Sequence, residues 1–220
     1  MMSSQLIEIF LFIDPLGKRC NNVRKIISNF KTERPEKIKL RVIPMVNFSK
    51  VYRHTRRQSA QSSSSMVDQN NQFSANTYQA CLAFHASAMQ GKSMAHKFLA
   101  VLQEQVVEEG LPYSEELMYS IVRNIGLDVE MFTEDYESEF TKKIYKKNLD
   151  LAADMKVKTT PSLVLFKDNN NDEAFRLNKK IENEMLHSIC GIENSLKPKQ
   201  DTEEDVGKKS AHNIIKFKMS

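Results

Sequence analysis

The chain opens with a short apolar run, QLIEIFLFI at residues 5–13, which Asp14-Pro15 closes. A run of this length, rich in Ile and Phe, predicts a buried strand. Past Gly17 the period changes: Val23, Ile26, Ile27 and Phe30 recur at i, i+3, i+4 and i+7, so an amphipathic helix follows with a basic opposite face. KIKLRVIPM (37–45) alternates and then turns apolar, which predicts a second strand. Strand, helix and strand in succession form a βαβ unit, whose crossover is right-handed and whose strands are parallel.

The next segment, 56–77, is rich in Ser, Gln and Asn and has little to bury, so a loop is expected there. From 78 to 155 the period is helical throughout. Cys81, Phe84 and Ala88 share one face; Phe98, Leu99, Leu102 and Val106 share another. Ser114 before Glu115-Glu116 is a cap, Gly126 a stop, and a further helix is expected from Thr133. Strand patterns return in SLVLF (162–166), directly after Thr159-Thr160-Pro161, and in EAFRLN (173–178). Asn169-Asn170-Asn171-Asp172 between them is hairpin-turn chemistry. A last helix puts Ile181, Met185, Ile189 and Ile192 on one stripe, and the charged tail 197–220 is expected to be loosely ordered. The order is βαβ, helical block, ββα. One α/β domain, residues 1–55 and 156–196, is thus split by a helical insertion at 78–155.

Composition refines this picture in three places. Hydrophobic content of 40% and aromatic content of 8% supply a core, which excludes global disorder. The net charge of +4 is too small to announce a nucleic-acid partner. Its distribution is uneven, however: residues 1–60 hold 13 Lys+Arg against 4 Asp+Glu, and residues 101–160 hold 7 against 13. The N-terminus lacks a basic n-region and a small-residue cleavage site, and no apolar run approaches the ~20 residues of a membrane span. A cytoplasmic protein without a membrane partner is expected.

The order of elements, with Pro161 directly before the third strand, resembles the thioredoxin-like fold of DsbA-like proteins with its helical insertion. Three pieces carry the resemblance: FIDPLGKRC (12–20) after the first strand, the segment 126–166 leading through TTPSLVLF, and the order itself. Within that superfamily the chain is most similar to the YjbH-like (SpxH) adaptors. The similarity rests on the Asp14-Pro15 to Cys20 turn, CLAFHASAMQGKSMAHKFLAVLQEQVV (81–107) and the PSLVLF strand. The resemblance implies a cis Thr160–Pro161 bond in the loop facing the first helix. It also implies an adaptor that binds the transcription regulator Spx and promotes its degradation by the ClpXP protease, with the ClpX unfoldase a further partner.

The residues themselves bear on the chemistry. Dithiol exchange needs an exposed thiolate at the first position of a Cys-x-x-Cys pair and a resolving thiol three residues on. Here Gly17 occupies the first position and only Cys20 is present, so no catalytic residue and no cofactor are expected. Two readings of Cys20 stand: a small buried hydrophobe, and a single redox-active thiol that acts by mixed disulfide or as a sensor. Cys81 and Cys190 fit helical core stripes. The five histidines form no i, i+4 pair and have no carboxylate at ligand spacing, so no metal site is expected. Lys50–Arg57 mixes basic residues with Tyr52, which fits a solvated loop or an acidic protein partner better than nucleic acid.

Overall fold

The computed structural model describes residues 6–46, 64–167, 174–178, 180–191 and 214–217. It falls into two compact units. One comprises Met1–Leu11, Val23–Arg41 and Ser162–Ser220, the other Phe12–Asn22 and Val42–Pro161. Strands β1 (Leu6–Ile13) and β2 (Lys37–Pro44) and the helix between them, α1 (Lys18–Glu33), are all cut by this partition.

The first unit is built on a five-stranded sheet of order β2-β1-β3-β4-β5, with β3 at Ser162–Lys167, β4 at Ala174–Asn178 and β5 at Ile214–Phe217. Leu163, Val164 and Leu165 of the middle strand are all fully buried, the unbroken apolar pattern of a strand covered on both faces. β3 and β4 are antiparallel, Ser162 opposite Asn178 and Phe166 opposite Ala174. Helix α7 (Asn183–Gly191) closes on α1 within this unit: the Phe30 and His187 rings meet edge to face at 5.0 Å. Beside them Glu33 accepts from Asn183 Nδ2 at 2.8 Å and lies 2.9 Å from His187 Nε2. Those two contacts, Asn183 first, hold the Glu33 carboxyl below the usual carboxylate range.

The second unit is helical: α2 (Ser64–Met89), α3 (Lys92–Gln103), a π-helical turn (Glu104–Glu108), α4 (Glu115–Asn124), α5 (Val129–Glu137) and α6 (Glu139–Asp154). Its core gathers Ala83 and Ala86 of α2, Phe98 and Leu102 of α3, Met118, Ile121 and Val122 of α4, and Phe132 of α5. A smaller cluster joins Cys81 and Leu82 to Val46 and Tyr145, where the Tyr145 hydroxyl accepts the Val46 N–H at 3.4 Å. Burial pushes the Tyr145 phenol up, and it pushes Tyr136 up to about 12. Two helices of this unit end in the same way. Leu127 N–H reaches the Val122 carbonyl at 3.1 Å with Gly126 at φ 82°, and Val157 N–H reaches the Ala152 carbonyl at 2.7 Å with Lys156 at φ 54°. Both are Schellman ends. Glycine is free to take that left-handed position; Lys156 takes it at a conformational cost.

Several expectations are corrected. The segment 56–77 was expected as a loop, yet α2 begins at Ser64; residues 56–63 lie outside the described residues. Helix growth is cooperative, so a polar start can extend from a buried second half, here Ala80 to Ala86. An i, i+4 bond from Gln72 Nε2 to Asn76 Oδ1 at 2.8 Å adds local support. The helix expected from Thr133 is two helices. Asp128 Oδ1 caps α5 through Met131 N–H at 2.9 Å, and Ser138 Oγ caps α6 through Thr141 N–H at 3.1 Å. Each is an N-cap acceptor that out-competes continuation of the helix.

The tail 197–220 was expected to be loose, but Ile214–Phe217 adds β5 antiparallel to β4, Leu177 opposite Ile214 and Ala174 opposite Phe217. Four residues suffice to cover the β4 edge, and their signal is lost in the charge of the surrounding tail. In the last helix the buried positions are Leu186, Ile189 and Cys190, and Ile181 precedes the helix. The Asn169–Asp172 turn, Ile192 and the Lys50–Arg57 stretch lie outside the described residues.

Candidate functional site

The turn between β1 and α1 is set by Asp14 and Pro15. Gly17 N–H donates to the Asp14 carbonyl at 3.0 Å, which closes a β-turn with Pro15 at its second position. The Asp14 carboxylate accepts Leu16 N–H at 3.0 Å, an Asx turn laid over the first. The Gly17 carbonyl then accepts Asn21 N–H at 3.0 Å and starts the helix. Gly17 has no side chain to cap with, so this helix start relies on the turn that precedes it.

Cys20, in the first turn of α1, faces back toward this turn. Its Sγ accepts the Asp14 N–H at 3.3 Å, and the residue is 2% exposed. The thiol is therefore buried and already engaged as an acceptor. Space at position 17 is tight: a Cβ there would lie 3.2 Å from both Asp14 Cβ and Cys20 Sγ. Thr160–Pro161, the other sequence-derived element of the site, is a cis peptide. Thr160 is half-buried and Pro161 buried, and both belong to the same compact unit as Asp14–Asn21.

Sequence reasoning placed Asp14 at this turn but missed its contacts, and it missed Asn21. Asp14 is 1% exposed and holds three roles at once: turn carbonyl, Asx acceptor and N–H donor to Cys20. Its Asp-Pro pairing was the visible signal. Asn21, also buried, donates from Nδ2 to Glu108 Oε1 at 2.7 Å, which ties the helix start to the π-helical turn. Nothing in the sequence marks this second contact, because its partners are 87 residues apart.

The other thiols are also buried. Burial pushes the Cys81 thiol well up, and the Asp14 charge adds to the effect; burial likewise raises Cys190. Both shifts disfavour the thiolate, the reactive form. His85 is buried with Nε2 3.1 Å from Asn148 Nδ2. Among the described residues no group of three His, Cys, Asp or Glu side chains is placed to hold a metal ion. No described helix is long and apolar enough to cross a membrane.

A family model described as thioredoxin matches residues 10–188. A protein of Staphylococcus saprophyticus named ClpXP adapter protein SpxH is 29% identical over 171 residues, 78% of this chain and 60% of that protein. The protein of the same name in Staphylococcus epidermidis is 27% identical over 199 residues, 88% of this chain and 69% of that protein. The chain thus spans well under the full length of either relative. The thiol-disulfide exchange protein alpha-DsbA2 of Wolbachia pipientis superposes with a TM-score of 0.56 at 14% identity, over 86% of this chain and 82% of that one. The last likeness is one of fold: α/β, thioredoxin-like, with a helical insertion between the βαβ and ββα halves.

Proposed function

The chain belongs to the thioredoxin family over residues 10–188, and we propose that it is a binding protein on that thioredoxin-like scaffold rather than a dithiol enzyme. It acts in the cytoplasm as a proteolytic adaptor. It binds an Spx-type transcription regulator and hands it to ClpXP, with the ClpX unfoldase as a second partner. The names of the staphylococcal relatives support the adaptor role.

One observation carries the case against dithiol chemistry. The turn that would present two thiols has Gly17 at the first position, and its remaining thiol, Cys20, is buried and accepts the Asp14 N–H. An attacking thiolate must reach a substrate disulfide in line. Position 17 offers no atom to attack with, and Cys20 has no open approach. Binding asks less of the turn, because the free energy comes from an interface and no transition state has to be stabilised. An adaptor of this kind raises the local concentration of its cargo at the protease.

The test is capture of the purified regulator by the immobilised full chain in buffers with and without dithiothreitol. Equal capture in both, kept in Cys20→Ser, is expected. Capture that requires oxidising buffer and vanishes in Cys20→Ser would overturn this reading in favour of a single-thiol mechanism.

A further inference from the structure

Helix α5 separates its side chains by face. Val129, Phe132 and Tyr136, at i, i+3 and i+7, pack toward the helical core; Phe132 is fully buried and stacks on Tyr136 with centroids 5.8 Å apart. Glu130, Glu134 and Glu137, at i, i+4 and i+7, are all exposed. From Asn124 to Thr141 the chain carries Asp128, Glu130, Glu134, Asp135, Glu137 and Glu139 and no Lys or Arg. Glu139 is engaged by Lys142 at 2.8 Å, but among the described residues no cation pairs with Glu130, Glu134 or Glu137. Glu130, in the first turn, favours the helix N-terminus, but like charges one turn apart weaken a helix, so Glu134 and Glu137 add nothing to that end effect.

Large apolar side chains are exposed on α5 and at the start of α6. Met131 is 50% exposed, and Phe140, three residues beyond Glu137, is 61% exposed. A clamp brings in a third. The Gln90 side chain donates to the Asp128 carbonyl and accepts the Asp128 N–H, both at 2.8 Å, which fixes the α2–α3 turn with its exposed Met89 at the start of α5. Of the five exposed large apolar residues among those described, three thus lie on this acidic segment or at its clamp. Methionine adapts to varied partners, and exposed apolar groups rimmed by charge mark protein-binding surfaces.

We propose that the outer face of α5, continued by Phe140, is a docking surface for a basic, apolar segment of a protein partner. Lys or Arg side chains of that segment meet Glu130, Glu134 and Glu137, and its apolar side chains cover Met131 and Phe140. Charge chooses the occupant. An uninterrupted acidic face repels nucleic acid and anionic lipid, and a second copy meeting it face to face would set carboxylate against carboxylate. The surface rests on the binding-protein reading only in that the partner is a protein.

The probe is a labelled helical peptide of about 14 residues built from Leu and Lys, followed by fluorescence anisotropy against the full chain. One control peptide replaces each Leu by Ser, and another replaces each Lys by Glu. The Leu/Lys peptide is expected to bind, and the combined Glu130→Gln, Glu134→Gln, Glu137→Gln variant to bind it about tenfold more weakly. Met131→Ser with Phe140→Ser should cost about fivefold; all five positions are exposed, so folding is not at stake, and circular dichroism checks this. Unchanged affinity in both variants, or a Ser/Lys peptide that binds as tightly as the Leu/Lys one, overturns the surface. In a ClpXP degradation assay the triple variant should also accelerate less than wild type. If wild type accelerates and the triple variant equals it, the surface falls and the adaptor reading stands. If wild type itself does nothing, the adaptor reading falls, and the anisotropy alone decides the surface.

Discussion

A Gly17→Cys variant is expected to close a disulfide with Cys20 on mild oxidation. The change adds one thiol to the three native free cysteines, and titration of the denatured, oxidised variant should then find two fewer thiols than in its reduced form. The reason is geometric. A Cβ at position 17 lies 3.2 Å from Cys20 Sγ. In a disulfide the Cβ of one cysteine stands about 3.0 Å from the Sγ of the other, the separation fixed by an S–S bond of about 2.04 Å. At position 17 the turn thus leaves a Cβ close to the distance that a bond to Cys20 Sγ requires. Asp14 Cβ, also 3.2 Å away, has to yield by a few tenths of an ångström. If the full set of thiols persists after oxidation, the β1–α1 turn does not hold that geometry, and its likeness to a dithiol turn is superficial. A Gly17→Ser variant provides the steric control, since it meets the same crowding without a second sulfur.

The second large effect concerns the helical unit. Phe132→Ala should cost about 3–5 kcal/mol of unfolding free energy, the usual range for truncating a buried aromatic. Phe132 is fully buried, with ring contacts to Phe98 at 6.4 Å, Tyr119 at 5.9 Å and Tyr136 at 5.8 Å. These partners come from three helices, so no single neighbour can fill the void. Phe140→Ala is the internal comparison: the same substitution eight residues on, at a side chain 61% exposed, is expected to stay within about 0.5 kcal/mol. Urea denaturation followed by circular dichroism measures both. A Phe132→Ala loss below about 1 kcal/mol would show that the cluster is not the core of this unit.

The sequence made some of this architecture legible because the signals were local. Short apolar runs, QLIEIFLFI and SLVLF, announced β1 and β3, and Ser114 and Gly126 marked the two ends of α4. Asp14-Pro15 announced the turn, and the resemblance to DsbA-like proteins implied the cis bond at Thr160–Pro161. What stayed hidden depended on partners far along the chain. The polar start of α2 is helical because its second half is buried against α3 and α5, and β5 exists because β4 offers an edge. Asn21 binds Glu108, 87 residues further along the chain. The fate of the Cys20 sulfur was not decidable from spacing. A thiol three residues past a turn can face solvent or fold back, and only the Asp14 N–H at 3.3 Å tells which.

The acidic stripe on α5 shows a different limit. Its charges were counted from the sequence as part of an uneven distribution, and an uneven distribution has a bland explanation in any solvated face. Only the helix register sorts Glu130, Glu134 and Glu137 onto one side, away from Phe132, and only the fold leaves Met131 on α5 and Phe140 at the start of α6 uncovered.

We propose that this scaffold acts by binding and not by thiol exchange. The most direct measurement is ClpXP degradation of the purified Spx-type regulator with and without the full chain, in excess dithiothreitol, for wild type and Cys20→Ser. Both forms are expected to accelerate degradation to a similar extent under fully reducing conditions. No acceleration by wild type, or acceleration that disappears in Cys20→Ser, would contradict it.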